Sequence, residues 1–504
     1  VRPWRDHLEP DDPLVTDDRP GAPDLTAPGT LLHLWADRWA AEPSAPLWQE
    51  DGRWWTAGEF DEATRRAAGR LRAAGLEPGE RIVWSTDSSV DALVAHVGAL
   101  RAGLVVVPAN TAYSARELAH IVTDVRASAA VVGRPEQAAW VREAAPGAVV
   151  VTGPGLELPD ADPGPLDRSG PDDPALICFT SGTTGAPKGA VLRHRNLLAG
   201  ARSVTRAWRM TPEDRLVHCL PIFHAHGLVV GAYGTMTAGG SAVLLPGFAP
   251  EAVADAATGH RASLFFGVPT MYHRLVASGR AADLASLRLC VSGSAPLPAE
   301  LHAAASSAVG SVVLERYGMT ETLMNTSNPY VGERRAGTVG FALPGVEIAF
   351  DEAGEVLLRG PSVFDGYFER DAANLEAFRD LGDGDGLWFA TGDLGTDEDG
   401  YLVIRGRSKE LIISGGYNVY PTEVEDVLSG CPGVAEVAVT GTPSDEWGEV
   451  VTAWVVPDGT APSLDDLRAH CAELLAPYKQ PRLVRAVDAL PRNALGKVVR
   501  SQLG

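Results

Sequence analysis

From about residue 80 onward, short apolar runs alternate with stretches of helical period, and this alternation restricts the possible folds more than any other feature. Residues 81–85, 104–107, 129–132 and 148–151 read as strands, and residues 90–100, 118–125 and 135–145 between them read as helices. Successive strands that each need a helix to bring the chain back predict a largely parallel sheet covered by helices. The pattern resumes at 216–220, 242–245, 264–268, 289–292 and 312–314, interleaved with Ala-rich helical segments. After about residue 345 the texture changes to short strands (346–350, 355–358, 401–405) joined by acidic, Gly-rich turns, including GDGDG at 382–386. Beyond 410 a compact unit follows: a strand at 411–413, a helix from Pro421, strands near 434–440 and 450–456, a helix near 464–475 and a last strand near 482–487. The 504 residues exceed one compact core. The expectation is therefore an α/β protein. A large N-terminal domain over 31–408, of parallel-rich sheets and helices plus a β-rich segment, is hinged to a small α+β C-terminal domain over 409–504. Residues 1–30, rich in Pro, Asp and Gly and without a period, read as a loosely ordered arm.

Composition removes several function classes. Lys and Arg total 43 against 65 for Asp and Glu, a net charge of −22 that disfavours nucleic acid as a partner. No run approaches 18 apolar residues, so no membrane span is expected, and the opening VRPWRDHLEPDDP places charges where a secretion signal needs apolar residues. The five cysteines (178, 219, 290, 431, 471) form no paired spacing and read as reduced thiols of a cytoplasmic protein. Only four lysines, at 188, 409, 479 and 497, survive among 43 basic residues, the rest being arginine. Where arginine replaces lysine so freely, a retained lysine is a candidate for work that needs a compact ammonium.

The densest chemistry lies at LICFTSGTTGAPKG, residues 176–189. An apolar strand runs into Thr180, Ser181, Gly182, Thr183, Thr184 and Gly185, then Lys188. Glycines let backbone N–H groups converge, hydroxyls add donors and the lysine adds charge, which together suit a polyphosphate. The spacing is not that of the G-x-x-x-x-G-K-[ST] loop.

This segment resembles the signature loop of the adenylate-forming superfamily: acyl-CoA synthetases, luciferases and peptide-synthetase adenylation domains. Further blocks follow in that family's order: ERYGMTE (315–321), TGD (391–393), GRSKELIISGGYNVYP (406–421) and PRNALGK (491–497). PIFHAHGL (221–228), RLCVSGSAPL (288–297) and ERYGMTETLMNTSNPY (315–330) look most like malonyl-CoA synthetases. The resemblance implies that a carboxylate attacks ATP to give an acyl-adenylate and pyrophosphate, and that the thiol of coenzyme A then displaces AMP. It implies that Thr180, Ser181, Gly182, Thr183, Thr184 and Lys188 hold the phosphates and that Glu321, after Thr320, binds Mg²⁺. Asp393 would take the ribose hydroxyls, with Arg407 on ribose or phosphate. Tyr317 would stack on adenine, opposite the backbone of Gly293, Ser294, Ala295 and Pro296, within a nucleotide site completed by Glu315, Arg316, Gly318 and Met319. Lys497 would be the main catalytic residue of the first half-reaction. Lys409 would be the hinge, Gly415 and Gly416 would line the pantetheine tunnel, and Lys479 receives no role.

Motifs do not choose the acid; pocket residues do. A dicarboxylate needs a cation for its far end. Arg288, between Leu287 and Leu289, is the candidate: spacing alone favours pairing with a structural carboxylate, whereas the resemblance places it at the distal carboxylate. His224 would gate the pocket, His226 would contact a carboxylate, and Ala225 and Met324 would line it, the small alanine leaving room for a methyl branch. The expected activity is ligation of malonate, with methylmalonate as a second substrate, to coenzyme A. Rivals are a ligase for a short monocarboxylic or aryl acid, an adenylation domain loading a separate carrier protein, and a non-catalytic nucleotide binder.

Overall fold

The computed structural model describes residues 1–2, 29–153, 155–180, 187–414, 417–444, 447–472, 474–493 and 497–503. Most of the expected N-terminal arm lies outside the described residues. Of its two ends, Arg2 donates from its backbone N to Gly400 O at 2.9 Å, and Thr30 caps the helix Leu31–Ala41.

Two sheets with parallel cores dominate. One runs, in spatial order, Val149–Thr152, Ala129–Val132, Arg81–Ser85, Val105–Pro108, Pro174–Thr180 and Lys188–Arg193, parallel except for the final hairpin. The other has nine strands, ordered Phe341–Ala342, Thr326–Ser327, Leu314–Tyr317, Leu289–Ser292, Leu264–Gly267, Arg215–His218, Ser241–Leu244, Pro46–Glu50 and Arg53–Thr56. Its centre is parallel and its ends are antiparallel. Residues from both sheets share one large apolar core, through which passes the helix Val90–Arg101, buried at every position but Asp91. A helix apolar all round belongs inside a core, and Ser89 starts this one by accepting from Ala92 N.

A third, antiparallel sheet gathers Glu347–Phe350, Glu355–Arg359, Phe378–Arg379, Trp388–Glu398 and Tyr401–Arg407. The fourth is built wholly from residues 412–486 and packs its own core around Val424, Leu428, Val439, Val451, Val455 and Leu467. Between the third and fourth sheets lies the short turn Ser408–Glu410. All five cysteines are buried free thiols. No described helix is long and apolar enough to cross a membrane.

Candidate active site

The carboxyl ends of the strands Pro174–Thr180, Leu289–Ser292 and Leu314–Tyr317 bring three of the sequence blocks together, the usual place for a ligand in an α/β sheet. Thr180 ends one strand and Lys188 opens its antiparallel partner, with Thr180 Oγ1 3.4 Å from Lys188 O. Ser181, Gly182, Thr183 and Thr184 lie outside the described residues, as do Gly415 and Gly416. The Lys188 ammonium stands 5.2 Å from the ring centre of Tyr367, whose hydroxyl donates to Glu321 Oε1 at 3.0 Å. Tyr367 thus joins the phosphate-loop lysine to the carboxylate expected to meet the metal. It sits in an unremarkable turn, 46 residues from Glu321, and nothing in its spacing announced the contact. Burial raises the Glu321 carboxyl above its usual range, against the opposing pull of its own backbone, Tyr367 and Arg407.

On the nucleotide side, Asp393 is the hub. Its Oδ2 accepts from Tyr317 Oη at 2.5 Å and its Oδ1 faces Arg407 Nε at 2.9 Å. Thr391 Oγ1 in turn accepts from Asp393 N at 3.0 Å, fixing the turn that carries the carboxylate. Thr320 is half-buried beside Glu321, and the Tyr317 hydroxyl also lies 3.8 Å from Met319 Sδ. The Glu315 side chain is engaged within the protein. Its Oε1 accepts from Leu297 N at 3.0 Å, pinning the end of the Gly293–Ser294–Ala295–Pro296 segment, and burial pushes its carboxyl up to about 8. Gly318 passes so close to Leu323 that an added Cβ would lie 2.1 Å from the Leu323 carbonyl oxygen.

The residues expected to meet the acid precede and open His226–Tyr233, a π-helix that begins directly after Ala225. Wide helical turns of this kind are rare and concentrate at functional sites. Gly227 is required there, because a Cβ would lie 2.2 Å from Pro221 O. His226 Nδ1 meets Ser294 Oγ at 3.1 Å, and Ser294 holds a positive φ of 70°, a strained value for a residue with a side chain. Burial, then Lys497, pulls the His224 imidazole down to about 4, and burial with nearby cations holds His226 well below its ordinary value. Both rings are therefore neutral at pH 7, and each leaves Nε2 buried without a protein partner. Met324 is fully buried in the same core on which Ala225 packs.

Lys497 arrives from the other end of the chain. Asn493 and Lys497 close the PRNALGK turn with two bonds, Asn493 N to Lys497 O at 2.8 Å and Lys497 N to Asn493 Oδ1 at 3.0 Å. The residue is exposed along much of its length, yet its ammonium lies in electrostatic range of Arg407, Asp393, Arg316 and Glu321. Burial first, with Arg407 and Arg316 adding to it and Asp393 and Glu321 opposing, brings the ammonium down to about 8. Lys409 stands exposed in the Ser408–Glu410 turn, and Lys479 pairs with Glu423 at 2.5 Å.

Arg288 corrects the sequence reading. Its Nε and Nη2 bind the two oxygens of Asp214 at 2.7 and 2.5 Å, and Nη1 and Nη2 reach the carbonyls of Trp208 and Arg209 at 3.1 Å each. It also precedes the strand whose far end carries Gly293, which at ~3.3 Å per residue sets the two roughly 16 Å apart. Arg288 is a structural cation at the wrong end of its strand. Arg288→Ala should therefore strip the buried Asp214 of its partner and cost about 3 kcal/mol of stability, read as a lower Tm. The ratio of activity with malonate to that with acetate should stay unchanged; a selective loss of malonate would reinstate the original reading.

A family model described as AMP-binding enzyme matches residues 35–368, and its companion, AMP-binding enzyme C-terminal domain, matches 423–497. The chain belongs to the AMP-binding enzymes. It is similar to a feruloyl-CoA synthase of Amycolatopsis sp (37% identity, 92% of this chain and 96% of the relative) and to a sulfoacetate–CoA ligase of Cupriavidus necator (36%, 94% and 97%). It is also similar to a mitochondrial malonate–CoA ligase of Mus musculus (34%, 88% and 85%). Among solved structures, ATP-bound MatB from Rhodopseudomonas palustris superposes with a TM-score of 0.87 at 40% identity, covering 94% of this chain and 98% of that one. The apo form of the same MatB gives 0.78. This AMP-binding enzyme is an acyl-CoA synthetase of the adenylate-forming superfamily, acting on small molecules with ATP and coenzyme A. Its fold is the α/β architecture expected from the sequence.

Proposed function

We propose that the enzyme ligates malonate, or an acid of that short dianionic kind, to coenzyme A through an acyl-adenylate. What supports the reading is a set of buried polar atoms without a protein partner, His224 Nε2, His226 Nε2 and Arg316 Nε, the last two on side chains that meet Ser294 Oγ. An apolar or aryl acid would leave those atoms unsatisfied at a cost of about 1–3 kcal/mol each, whereas an acid with polar groups at both ends satisfies them. Two of the relatives above are named for short acids of this kind, malonate and sulfoacetate, and one for ferulate.

In this reading Lys497 stabilises the charge that builds between the attacking carboxylate and the α-phosphate, while Lys188 and the hydroxyls after Thr180 hold the outer phosphates. Asp393 and Arg407 fix the ribose, and Tyr317 supplies the flat face for the base. The donor set also fits Mg²⁺. Among the described residues no group of three or more ligating side chains is gathered, and one buried carboxylate, Glu321, stands ready. Mg²⁺ is typically held by one or two carboxylates with the remaining places filled by phosphate and water. Bound there, it would neutralise phosphate charge. The turn at Lys409 is the pivot about which the small domain would carry Lys497 out and bring Gly415 and Gly416 in for coenzyme A.

The test is release of AMP and loss of free thiol with Mg-ATP and coenzyme A across malonate, methylmalonate, sulfoacetate, acetate and ferulate. Thiol loss with the short dianions is the expected result. Preference for acetate or ferulate would discard the substrate, and AMP release without thiol loss would point to a carrier protein.

A further inference from the structure

Lys188 and Glu321 bring opposite charges to the same tyrosine, yet no ion pair among the described residues joins them. The face of the Tyr367 ring carries the Lys188 ammonium, 5.2 Å from its centre and within cation–π reach, while the hydroxyl donates to Glu321 Oε1 at 3.0 Å. Both sides of the site hold this ring in place. Gly366 O accepts from Val191 N at 3.1 Å and Phe368 N donates to Gly189 O at 2.8 Å, tying the segment to the strand that Lys188 opens. Tyr367 N donates to Asn374 Oδ1 at 2.6 Å, and Asn374 Nδ2 returns a bond to Tyr367 O at 3.1 Å. The ring meets Phe364 edge-on at 4.9 Å, and Phe364 N donates to Glu321 O at 2.8 Å. The tyrosine is thus fixed to the backbone beside each charge.

In a half-buried site a free ammonium and a free carboxylate attract strongly. Their direct pairing would consume the two charges that a phosphate and a metal ion need. A phenol prevents this without neutralising either group: it is uncharged, it donates to the anion and it offers a π face to the cation. We propose that Tyr367 is a positioning residue that keeps Lys188 and Glu321 apart and available, the ring holding the ammonium for the outer phosphates and the hydroxyl fixing one oxygen of the carboxylate that would meet Mg²⁺. This rests on the phosphate and metal assignments in the reading above and is independent of which acid the enzyme takes.

The test uses α,β-methylene-ATP, which lacks the bond cleaved in the first half-reaction, so no acid and no turnover are involved. Calorimetry reads its binding without metal, and electron paramagnetic resonance reads Mn²⁺ binding to the enzyme–analogue complex. Tyr367→Phe keeps the ring and removes the hydroxyl. It should weaken Mn²⁺ by about 10–100-fold, the usual effect of losing an outer partner of a metal ligand, and change metal-free binding of the analogue by less than about threefold. Tyr367→Leu removes both contacts and lets the ammonium reach the carboxylate, so metal-free binding should also weaken, by about tenfold or more. Adding Glu321→Gln to Tyr367→Leu should restore metal-free binding to within about threefold of wild type, a larger gain than the same substitution brings to wild type, because no anion is left to capture Lys188. Unchanged Mn²⁺ affinity in Tyr367→Phe would overturn the assignment, as would a loss in Tyr367→Leu that Glu321→Gln does not restore. Glu321→Gln alone binding Mn²⁺ as tightly as wild type would remove the metal reading as well.

Discussion

Lys497→Ala is expected to slow formation of the acyl-adenylate by on the order of 10²–10³-fold while a preformed malonyl-adenylate still reacts with coenzyme A at close to the wild-type rate. The asymmetry follows from geometry. The Lys497 ammonium is held among Arg407, Asp393, Arg316 and Glu321 by a turn at the far end of the chain, so its charge serves only the arrangement in which that turn is docked. Pulsed formation of pyrophosphate reads the first half-reaction, and thiol loss from the preformed adenylate reads the second. Equal damage to both halves would sink the role. The same lysine sets a pH limb. Its ammonium titrates near 8, lowered mainly by burial, so the charged form that the first half needs is present below that value and is lost above it. Adenylate formation should fall as pH rises through about 8, and the thioester half should not share that limb.

The reach of the sequence can be judged at particular residues. Strands at Ala129–Val132 and Leu289–Ser292 coincide with their predicted bounds, because an apolar run ended by turn-forming residues leaves the boundary little freedom. The hairpin Pro46–Glu50 with Arg53–Thr56 lies outside the predicted strands, although Asp51-Gly52 between two Trp-bearing runs is a strong hairpin signal, and both residues take positive φ values, 48° and 81°. The π-helix His226–Tyr233 had no signal of its own: its extra width is imposed by the packing around it. Spacing could say which face Arg288 presents but not that Asp214, 74 positions earlier, was waiting there. Tyr367 and Glu321 pose the same problem: the block around Glu321 was legible as a motif, while its partner depended on how the third sheet folds back. Of the four lysines, Lys188 lies against Tyr367 and the Lys497 ammonium within electrostatic range of Asp393 and Glu321, whereas Lys479 is an ion pair with Glu423.

Asp393→Asn should raise the KM for ATP by about 100-fold, with the KM for the acid little changed. The substitution keeps the shape and removes the charge that holds two neighbours. Oδ2 accepts the Tyr317 hydroxyl at 2.5 Å and Oδ1 faces Arg407 Nε at 2.9 Å, so one carboxylate sets the ring that would carry the base and the cation beside the ribose and phosphates. Hydrogen bonds to a charged group are worth roughly 1.5–3 kcal/mol each, and two weakened together amount to about two orders of magnitude. Arg407, left without its carboxylate, would also face Lys497, whose ammonium Asp393 helps to keep charged. The alkaline limb of adenylate formation in Asp393→Asn should consequently move to lower pH than in wild type. A purely structural aspartate would lower Tm and active enzyme concentration but leave the KM for ATP and the position of that limb unmoved. The two measurements together separate a residue that binds the nucleotide and tunes the catalytic lysine from one that only holds the turn.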